Sequence, residues 1–219
     1  MAEAAAARGY SLLGITDHSQ GLAVAGGLDV NRLRLQRIEI DDVNRESSVR
    51  LLAGAEVEVS RDGSLDFDDE TLASLDVVVA SLHSGLRQPR NELTSRLIRV
   101  LEDLNVDIIA HPSGRLIERR EGGDFDWERV FGVAAQTGTA LEINADPARL
   151  DLDPAHAFSA SQAGCLITIN CDAHSASGFS VMEYGVAVAR RAWLKPDQIL
   201  NCWSPARIVE WLSTNGRSV

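Results

Sequence analysis

The sequence predicts an α/β protein, either a β/α barrel or an open doubly wound sheet, and two observations lead to that class. Six short runs rich in β-branched residues alternate with longer amphipathic segments. The short runs are almost continuously apolar, which is typical of strands buried on both faces of a parallel sheet. Because no internal repeat, low-complexity run or linker interrupts the chain, we expect a single domain over residues 1–219.

The predicted strands are distributed along most of the chain. In order, they are Leu12-Leu-Gly-Ile-Thr, Arg50-Leu-Leu-Ala-Gly-Ala-Glu-Val-Glu-Val, Asp76-Val-Val-Val-Ala-Ser, Asp107-Ile-Ile-Ala, Ala140-Leu-Glu-Ile-Asn and Cys165-Leu-Ile-Thr-Ile-Asn.

Helices are predicted between these strands and at the end of the chain. Asp29 is a plausible N-cap for the first helix and Gly138 a plausible stop for the third. The loop from Arg115 to Asp126 is the most irregular stretch, and we consider it a candidate lid or substrate loop. The predicted helices lie near residues 29–46, 90–104, 126–137, 154–163, 180–192 and 204–212.

Composition excludes several classes of protein. The chain is 45% hydrophobic and 24% charged, which is typical of a globular protein rather than a disordered one. No apolar run is long enough to cross a bilayer and no secretory signal opens the chain, so a cytoplasmic protein without a membrane partner is expected. Three cysteines without a CxxC pair indicate free thiols rather than disulfides.

The net charge bears on the substrate. Lys and Arg number 21 against 32 Asp and Glu, so the formal net charge is −11. Proteins that hold duplex DNA by its phosphates are usually basic, because binding releases counterions from the DNA. A neighbouring domain or a metal centre would be needed for this chain to hold a polyanion.

Four of the five histidines come just after a predicted strand: His18, His83, His111 and His174. Two carboxylates, Glu56 and Asp172, lie at the same level. In a β/α barrel the carboxyl ends of the strands meet at one mouth, so these six side chains are predicted to converge there. Imidazoles and carboxylates together bind divalent transition metals such as Zn, Mn or Fe. Two such ions can stabilise the attacking and leaving oxygens of a phosphoryl transfer.

Each of these side chains also has an ordinary structural interpretation. A single strand-end histidine is more often hydrogen-bonded or exposed than a ligand, but four at equivalent positions favour a site. His156, on a predicted helix, is interpreted as structural. Arg115 and Arg149 follow strand ends, where a guanidinium can bind phosphate oxygens, although solvated loop charges fit the pattern equally well. The chain lacks a GxGxxG motif, a P-loop and a Gly-x-Ser-x-Gly elbow, so those nucleotide sites and a serine nucleophile are not supported.

Six ordered motifs resemble those of the PHP (polymerase and histidinol phosphatase) superfamily. The segments Tyr184-Gly-Val-Ala-Val-Ala-Arg-Arg-Ala-Trp-Leu and Ile199-Leu-Asn-Cys-Trp further resemble the C-terminal PHP domain of bacterial family X DNA polymerases. The six motifs are Gly14-Ile-Thr-Asp-His-Ser, Gly54-Ala-Glu-Val-Glu, Val79-Ala-Ser-Leu-His-Ser, Ala110-His-Pro-Ser-Gly-Arg, Glu142-Ile-Asn-Ala-Asp-Pro and Cys171-Asp-Ala-His-Ser.

The resemblance implies a distorted (β/α)7 barrel of PHP type with up to three divalent ions, Mn or Zn. Glu56 matches the carboxylate that bridges two metals, and His83 and His111 match the imidazoles that complete the second metal with it. Asp172 matches a ligand of the first metal.

The same resemblance assigns the remaining candidates. His18 and His174 match ligands of the third metal. Arg115 and Arg149 match loop arginines that meet the substrate phosphate. Glu56, Asp172, Arg115 and Arg149 are therefore the expected catalytic residues.

The implied activity is phosphoester hydrolysis by a metal-bound hydroxide, and in the polymerase-linked subgroup this is a 3′–5′ exonuclease acting on DNA 3′ ends. Two alternatives stay open. One is a small-molecule phosphatase of histidinol-phosphatase type. The other is a non-catalytic barrel that only binds metal or packs against a polymerase domain.

One departure from the family pattern concerns the start of the chain. The family begins with a strand carrying His-x-His. This chain begins instead with Met1-Ala-Glu-Ala-Ala-Ala-Ala-Arg-Gly-Tyr, which resembles the helix that normally follows that strand. The expectation is therefore a barrel that lacks the first strand, with fewer than three metals and no polymerase domain. A fragment, a miscalled start and a natural remnant are equally compatible with this pattern.

Overall fold

Six parallel strands form one sheet in the order β1-β2-β3-β4-β5-β6 in the computed structural model, which describes residues 1–22 and 26–214. All six predicted strands are present, so the α/β class is confirmed. The sheet curls into a half-barrel flanked by helices, as in a distorted barrel of PHP type. The strands are β1 (Leu12–His18), β2 (Arg50–Glu58), β3 (Val77–Ser81), β4 (Ile108–Ile109), β5 (Ala140–Asn144) and β6 (Ile167–Asn170).

The helices follow the prediction closely. One helix was not predicted, α3, because five residues are too few to show a helical period. None of the described helices is long and apolar enough to cross a membrane. The helices are α1 (Ala2–Ala6), α2 (Val30–Asn44), α3 (Asp69–Ala73), α4 (Arg90–Leu101), α5 (Trp127–Thr137), α6 (Pro154–Gln162), α7 (Met182–Arg191) and α8 (Pro205–Thr214), with short 3₁₀ segments at Ala176–Val181, Pro196–Gln198 and Leu200–Cys202.

Aspartates cap the beginnings of four helices. The Asp29 carboxylate accepts the backbone N–H of Arg32, as predicted for the first long helix, and Asp153 accepts two N–H groups at the start of α6. Such side chains satisfy donors that the first helical turn leaves free. Gly138 ends α5 in the left-handed conformation with φ 78°, which glycine adopts without a steric penalty. The four caps are Asp29, Asp68, Asp126 and Asp153.

The two faces of the sheet bury different sets of residues. Alternate strand residues point to opposite faces, so Val78 and Ile109 pack in the large cluster that contains helix residues such as Leu97. Residues of the opposite face, such as Val79 and Ile108, pack in a second cluster with residues of the α8 region. Both faces are therefore buried, as the continuous apolar strands predicted.

The face that packs against the α8 region becomes polar toward the carboxyl ends of the strands. On β2 this face carries Leu52, then Gly54, then Glu56 and Glu58. On β5 it carries Ala140, then Glu142 and Asn144. This face of the sheet is therefore apolar at the amino ends of the strands and polar at their carboxyl ends.

The edge strands β1 and β6 do not pair with each other in the described part of the chain. Instead, α1 packs near the 3₁₀ segment Ala176–Val181, which follows β6. The rings of Tyr10 and Phe179 meet edge to face, with centroids 6.0 Å apart, and the Arg8 guanidinium lies 5.5 Å from the Phe179 ring. Aromatic packing therefore joins the two ends of the curled sheet.

We predict that Gly54→Ala destabilises the protein by about 1–3 kcal/mol, the cost of overpacking a filled core. A Cβ at position 54 would overlap the carbonyl oxygen of Val77 and lie 2.6 Å from its Cγ1. The control is Gly132→Ala on α5, where a Cβ meets no atom within 4 Å. That change should stabilise the protein by about 0.5–1 kcal/mol, because alanine favours helix. Urea unfolding measures both, and equal effects would contradict the packing described for β2.

A second prediction concerns the cap of α6. The side-chain hydrogen bond from His156 lowers the pKa of Asp153, with further lowering by backbone donors. The carboxylate therefore stabilises the fold above the pKa of about 3.9 of an unfolded aspartate, and this contribution is lost as the pH falls through the lower folded pKa. Asp153→Ala should cost about 1 kcal/mol at neutral pH. Asp153→Asn retains a capping oxygen, and its deficit relative to wild type should vanish in acid. A deficit that does not change with pH in unfolding experiments would exclude the charge as its source.

Candidate metal centre

The carboxylate of Glu56 lies at the centre of a group of imidazoles at the carboxyl ends of the strands. Its Oε1 is 3.2 Å from Nε2 of His111 and 3.4 Å from Nε2 of His83, and its Oε2 is 3.6 Å from Nδ1 of His18. The residue is only 7% exposed. One buried carboxylate therefore faces three imidazoles through both of its oxygens.

Strand register explains how residues so distant in sequence meet. His18 is paired with Glu56 in the parallel ladder of β1 and β2, so both side chains point to the same face. His83 lies two residues beyond the end of β3 and His111 two residues beyond the end of β4. Because parallel strands end at one edge, both loops return their histidines toward Glu56.

The electrostatics of the group favour a charged carboxylate. Burial alone would raise the pKa of Glu56, but the hydrogen bond from His111 and the charges of His111, His18 and His83 lower it to about 2. Burial would lower the pKa of His111, yet its hydrogen bond and ion pair with Glu56 raise it. The carboxylate thus keeps its negative charge while buried.

The donor atoms fit a divalent ion. One ligand atom from each of His18, Glu56 and His83 can be chosen so that all three lie within 4.8 Å of one another. In the described chain, the buried Nδ1 atom of His18 has no hydrogen-bond partner, as expected for a nitrogen whose lone pair is kept for a ligand. At metal–ligand distances of about 2.0–2.2 Å, two atoms on one tetrahedral ion lie about 3.3–3.6 Å apart, close to the separations around Glu56. Nitrogen and carboxylate donors of this kind suit Zn or Mn.

Asp172 and His174 lie on the loop after β6, beside this group. The His174 ring is 6.0 Å from that of His18, its side chain is 71% exposed, and its Nδ1 is 2.8 Å from the carbonyl oxygen of Asp172. Asp172 accepts a hydrogen bond of 3.3 Å from the side chain of Asn144. All six metal-ligand candidates from the sequence are thus placed at one end of the sheet, with His174 the most exposed.

Glu142 is a site residue that the sequence analysis did not single out. Its carboxylate accepts the backbone N–H of His111 at 2.6 Å and the side-chain amides of Asn170 and Asn144. Burial raises its pKa to about 7, against the charge of His111 and the Asn170 hydrogen bond. The signal was present in Ala140-Leu-Glu-Ile-Asn, where polar residues alternate with apolar ones inside a buried strand.

Glu58 was also missed, although it follows Glu56 by two residues and so shares its face of β2. Its Oε2 lies 2.6 Å from Nδ1 of His83, the ring nitrogen opposite the one that faces Glu56. The period of two in a strand could have identified it.

The guanidinium groups of the two candidate arginines make different contacts. The guanidinium of Arg115 donates to the carbonyl oxygens of Arg149 and Leu150 and lies 3.4 Å from a carboxylate oxygen of Asp153. It therefore holds the segment that carries Arg149. Nη1 of Arg149 is buried without a hydrogen-bond partner among the described residues, and the charge of this residue acts on His111. Binding of phosphate by either arginine stays a prediction.

The loop that follows His111 is tied to the turn carrying that residue. Leu116 pairs with Arg120 in an isolated bridge, and the Arg120 guanidinium donates to the carbonyl oxygen of Gly114. The Asp151 carboxylate accepts the backbone N–H groups of Ser113 and Gly114. A role of this loop as a lid stays a prediction.

The remaining histidine lies outside the cluster. His156, on α6, is 2.7 Å from Asp153 through its Nδ1 and packs against the Trp127 ring, with centroids 4.9 Å apart. These contacts agree with a structural role. The three cysteines are free: Cys165 is buried, Cys171 half-buried and Cys202 exposed.

Known proteins were found that are similar to this chain in sequence. No family model matches the chain. The chain is 44% identical over 216 residues, 98% of its length, to the DNA polymerase/3′-5′ exonuclease PolX of Bacillus subtilis, but it spans only 38% of that protein. It is 30% identical over 220 residues to a probable phosphatase of Shewanella loihica and covers 83% of it.

A solved structure has the same fold. Histidinol phosphate phosphatase from Lactococcus lactis, determined with Zn, L-histidinol and phosphate, superposes with a TM-score of 0.59 at 16% identity over 88% of this chain and 86% of that one. A polymerase-linked exonuclease, probable phosphatases and a histidinol phosphatase together delimit one group of proteins. The chain belongs to the PHP superfamily.

Proposed function

We propose that this protein is a metal-dependent phosphoesterase. The observation that carries this proposal is the convergence of three imidazoles on the buried carboxylate of Glu56 at the carboxyl ends of the strands. Relatives named as phosphatases and as an exonuclease support it.

The residues that would hold the metal follow from the contacts. Oε1 of Glu56 would hold metal together with His83 and His111, and Oε2 together with His18. His174 and Asp172 lie beside these residues. Divalent ions at such a site supply Lewis acidity and make a nucleophile available at neutral pH.

The chain's own residues would orient the substrate. Arg115 holds the segment of Arg149, and Arg149 has a buried guanidinium nitrogen left unpaired beside the site. We propose that Arg149 contacts a phosphate oxygen and that Arg115 keeps it in position. Glu142, held by Asn170 and the backbone N–H of His111, would fix the turn that carries His111.

We propose a phosphodiester at a DNA 3′ end as the substrate, hydrolysed in the 3′–5′ direction. The support is the 44% identity to PolX over nearly the whole chain. A polymerase domain, as the Bacillus protein's name implies, would be the natural partner for holding DNA, since the −11 charge of this chain repels a polyanion.

A small phosphate monoester is the second candidate substrate. The same acidic charge favours it, and so do the relatives named as probable phosphatases, of which this chain covers most of the length.

The activity test uses a 5′-labelled single-stranded oligonucleotide and p-nitrophenyl phosphate, each with Mn²⁺ or Zn²⁺. We expect stepwise shortening from the 3′ end, and Glu56→Gln should reduce it by about 100-fold or more because a shared ligand is lost. His156→Ala is the matched control and should retain the wild-type rate. Hydrolysis of the monoester alone would replace the exonuclease by the second candidate. Metal binding without turnover of either substrate would contradict catalysis.

The metal test compares metal content after mild dialysis. The double variant His83→Ala with His111→Ala should lose most of the bound Mn or Zn, since two of the imidazoles that face Glu56 are removed. His156→Ala should bind as much metal as the wild type, because this ring contacts Asp153 and Trp127 instead. Equal metal in all three proteins would refute the proposed ligands.

A further inference from the structure

Glu58 occupies the far side of the His83 ring from the candidate metal position. The carboxylate is nearly buried, and its Oε2 lies 2.6 Å from Nδ1 of His83. Nε2 of the same ring lies 3.4 Å from Oε1 of Glu56. His83 is therefore held between two carboxylates, one at each ring nitrogen.

This contact selects one protonation form of the neutral imidazole. A carboxylate accepts hydrogen bonds, so the proton of His83 belongs on Nδ1, where it can be donated to Glu58. The lone pair is then on Nε2, the nitrogen that faces Glu56 and its neighbours. The hydroxyl of Ser81 is 3.2 Å from the same Nδ1, but a neutral hydroxyl selects the tautomer less strongly than a carboxylate does.

The surroundings hold Glu58 in place. Its backbone N–H donates to Ser19 Oγ at 2.8 Å, and the Ser84 hydroxyl donates to its Oε1 at 3.4 Å. Arg96, on α4, is 2% exposed and donates to the carbonyl oxygens of Val59 and Ser84. These bonds link the end of β2 to the loop that carries His83.

Arg96 also supplies charge. Burial lowers the pKa of its guanidinium, while the charge of Glu58 opposes that shift. A buried cation near a buried carboxylate reduces the cost of keeping both charged away from water. The charge of Arg96 therefore acts on Glu58, and Glu58 in turn contacts Nδ1 of His83.

His111 lacks such support among the described residues. Nδ1 of His111 is buried without a hydrogen-bond partner in the described part of the chain, although its Nε2 faces Glu56 in the same way. The carboxylate behind His83 is therefore a specific feature of this ring, and general burial of the site does not explain it.

We propose that Glu58 is a positioning residue that fixes the tautomer and ring orientation of His83 for metal binding. The metal part of this inference rests on the proposed function. Carboxylates that accept the second N–H of a metal-bound histidine raise its basicity, and their loss typically weakens metal affinity about 10–100-fold.

The test has two readouts, both taken in mildly alkaline buffer. Nitrogen-15 NMR of the metal-free protein reports which nitrogen of His83 carries the proton, with assignment by loss of the signal in His83→Ala. Calorimetry reports Zn²⁺ affinity. Glu58→Ala should shift His83 away from the Nδ1–H tautomer and weaken Zn²⁺ binding about 10–100-fold. Glu58→Gln retains an acceptor oxygen and should restore part of both.

Asp76→Asn is the matched control, since Asp76 is a half-buried carboxylate paired with Arg37 at the opposite end of the sheet. It should leave both readouts unchanged. An unaltered His83 tautomer in Glu58→Ala would overturn the proposal. If Glu58→Ala does not fold, the same comparison is made with Glu58→Gln, for which an unaltered Zn²⁺ affinity overturns it. Wild-type protein that has the Nδ1–H tautomer but binds no Zn²⁺ would instead contradict the proposed function.

Discussion

The buried negative charge of Glu56 is the constraint on which the site depends. Removing a carboxylate from water is costly unless hydrogen bonds and positive charge replace the solvent. Here three imidazoles replace the solvent around the carboxylate. One comes from β1, and two come from the loops after β3 and β4. The arrangement stays stable only while the strands keep their register, because a shift of one residue would turn His18 or Glu56 to the opposite face.

The curled sheet makes this arrangement possible by dividing one face into two regions. The apolar region, with Leu52 and Val79, packs with residues of the α8 region and contributes the hydrophobic stabilisation. The polar region, with Glu56, Glu142 and Asn144, is supported by that packing and by hydrogen bonds among its own members. Hydrophobic packing and the candidate site therefore use different positions on the same face of the sheet.

The buried polar groups around the centre are satisfied mostly by one another. Glu142 joins Asn170, Asn144 and the backbone of His111, and Asp151 holds the turn after His111 through two N–H groups. In a low dielectric such networks restrict the side chains that they contain, since breaking one bond leaves a buried group unpaired. Among the side-chain atoms left without a hydrogen-bond partner in the described residues, Nδ1 of His18 and Nδ1 of His111 lie on proposed metal ligands, and Nη1 of Arg149 lies on the residue proposed to bind phosphate.

Local patterns in the sequence determined much of this molecule. The six apolar runs specified parallel strands, Asp29 and Gly138 marked helix ends, and the placement of four histidines after strands indicated where a site would form. These features depend on neighbours in the chain, so they can be read without a fold. The ordered motifs led to the family, which the similarity to known proteins confirms.

Only the tertiary structure decided how the side chains are paired. In the folded chain, Glu58 contacts Nδ1 of His83, and Glu142 accepts the backbone N–H of His111. The Arg115 guanidinium donates to the carbonyl oxygens of residues 149 and 150. The fold also paired His156, already interpreted as structural from the sequence, with Asp153. Hydrogen bonds between residues 25 to 35 positions apart depend on strand register and loop paths, which arise from packing of the whole sheet. For that reason the sequence could indicate the composition of the site, while the curled sheet selected the partner of each nitrogen and oxygen atom.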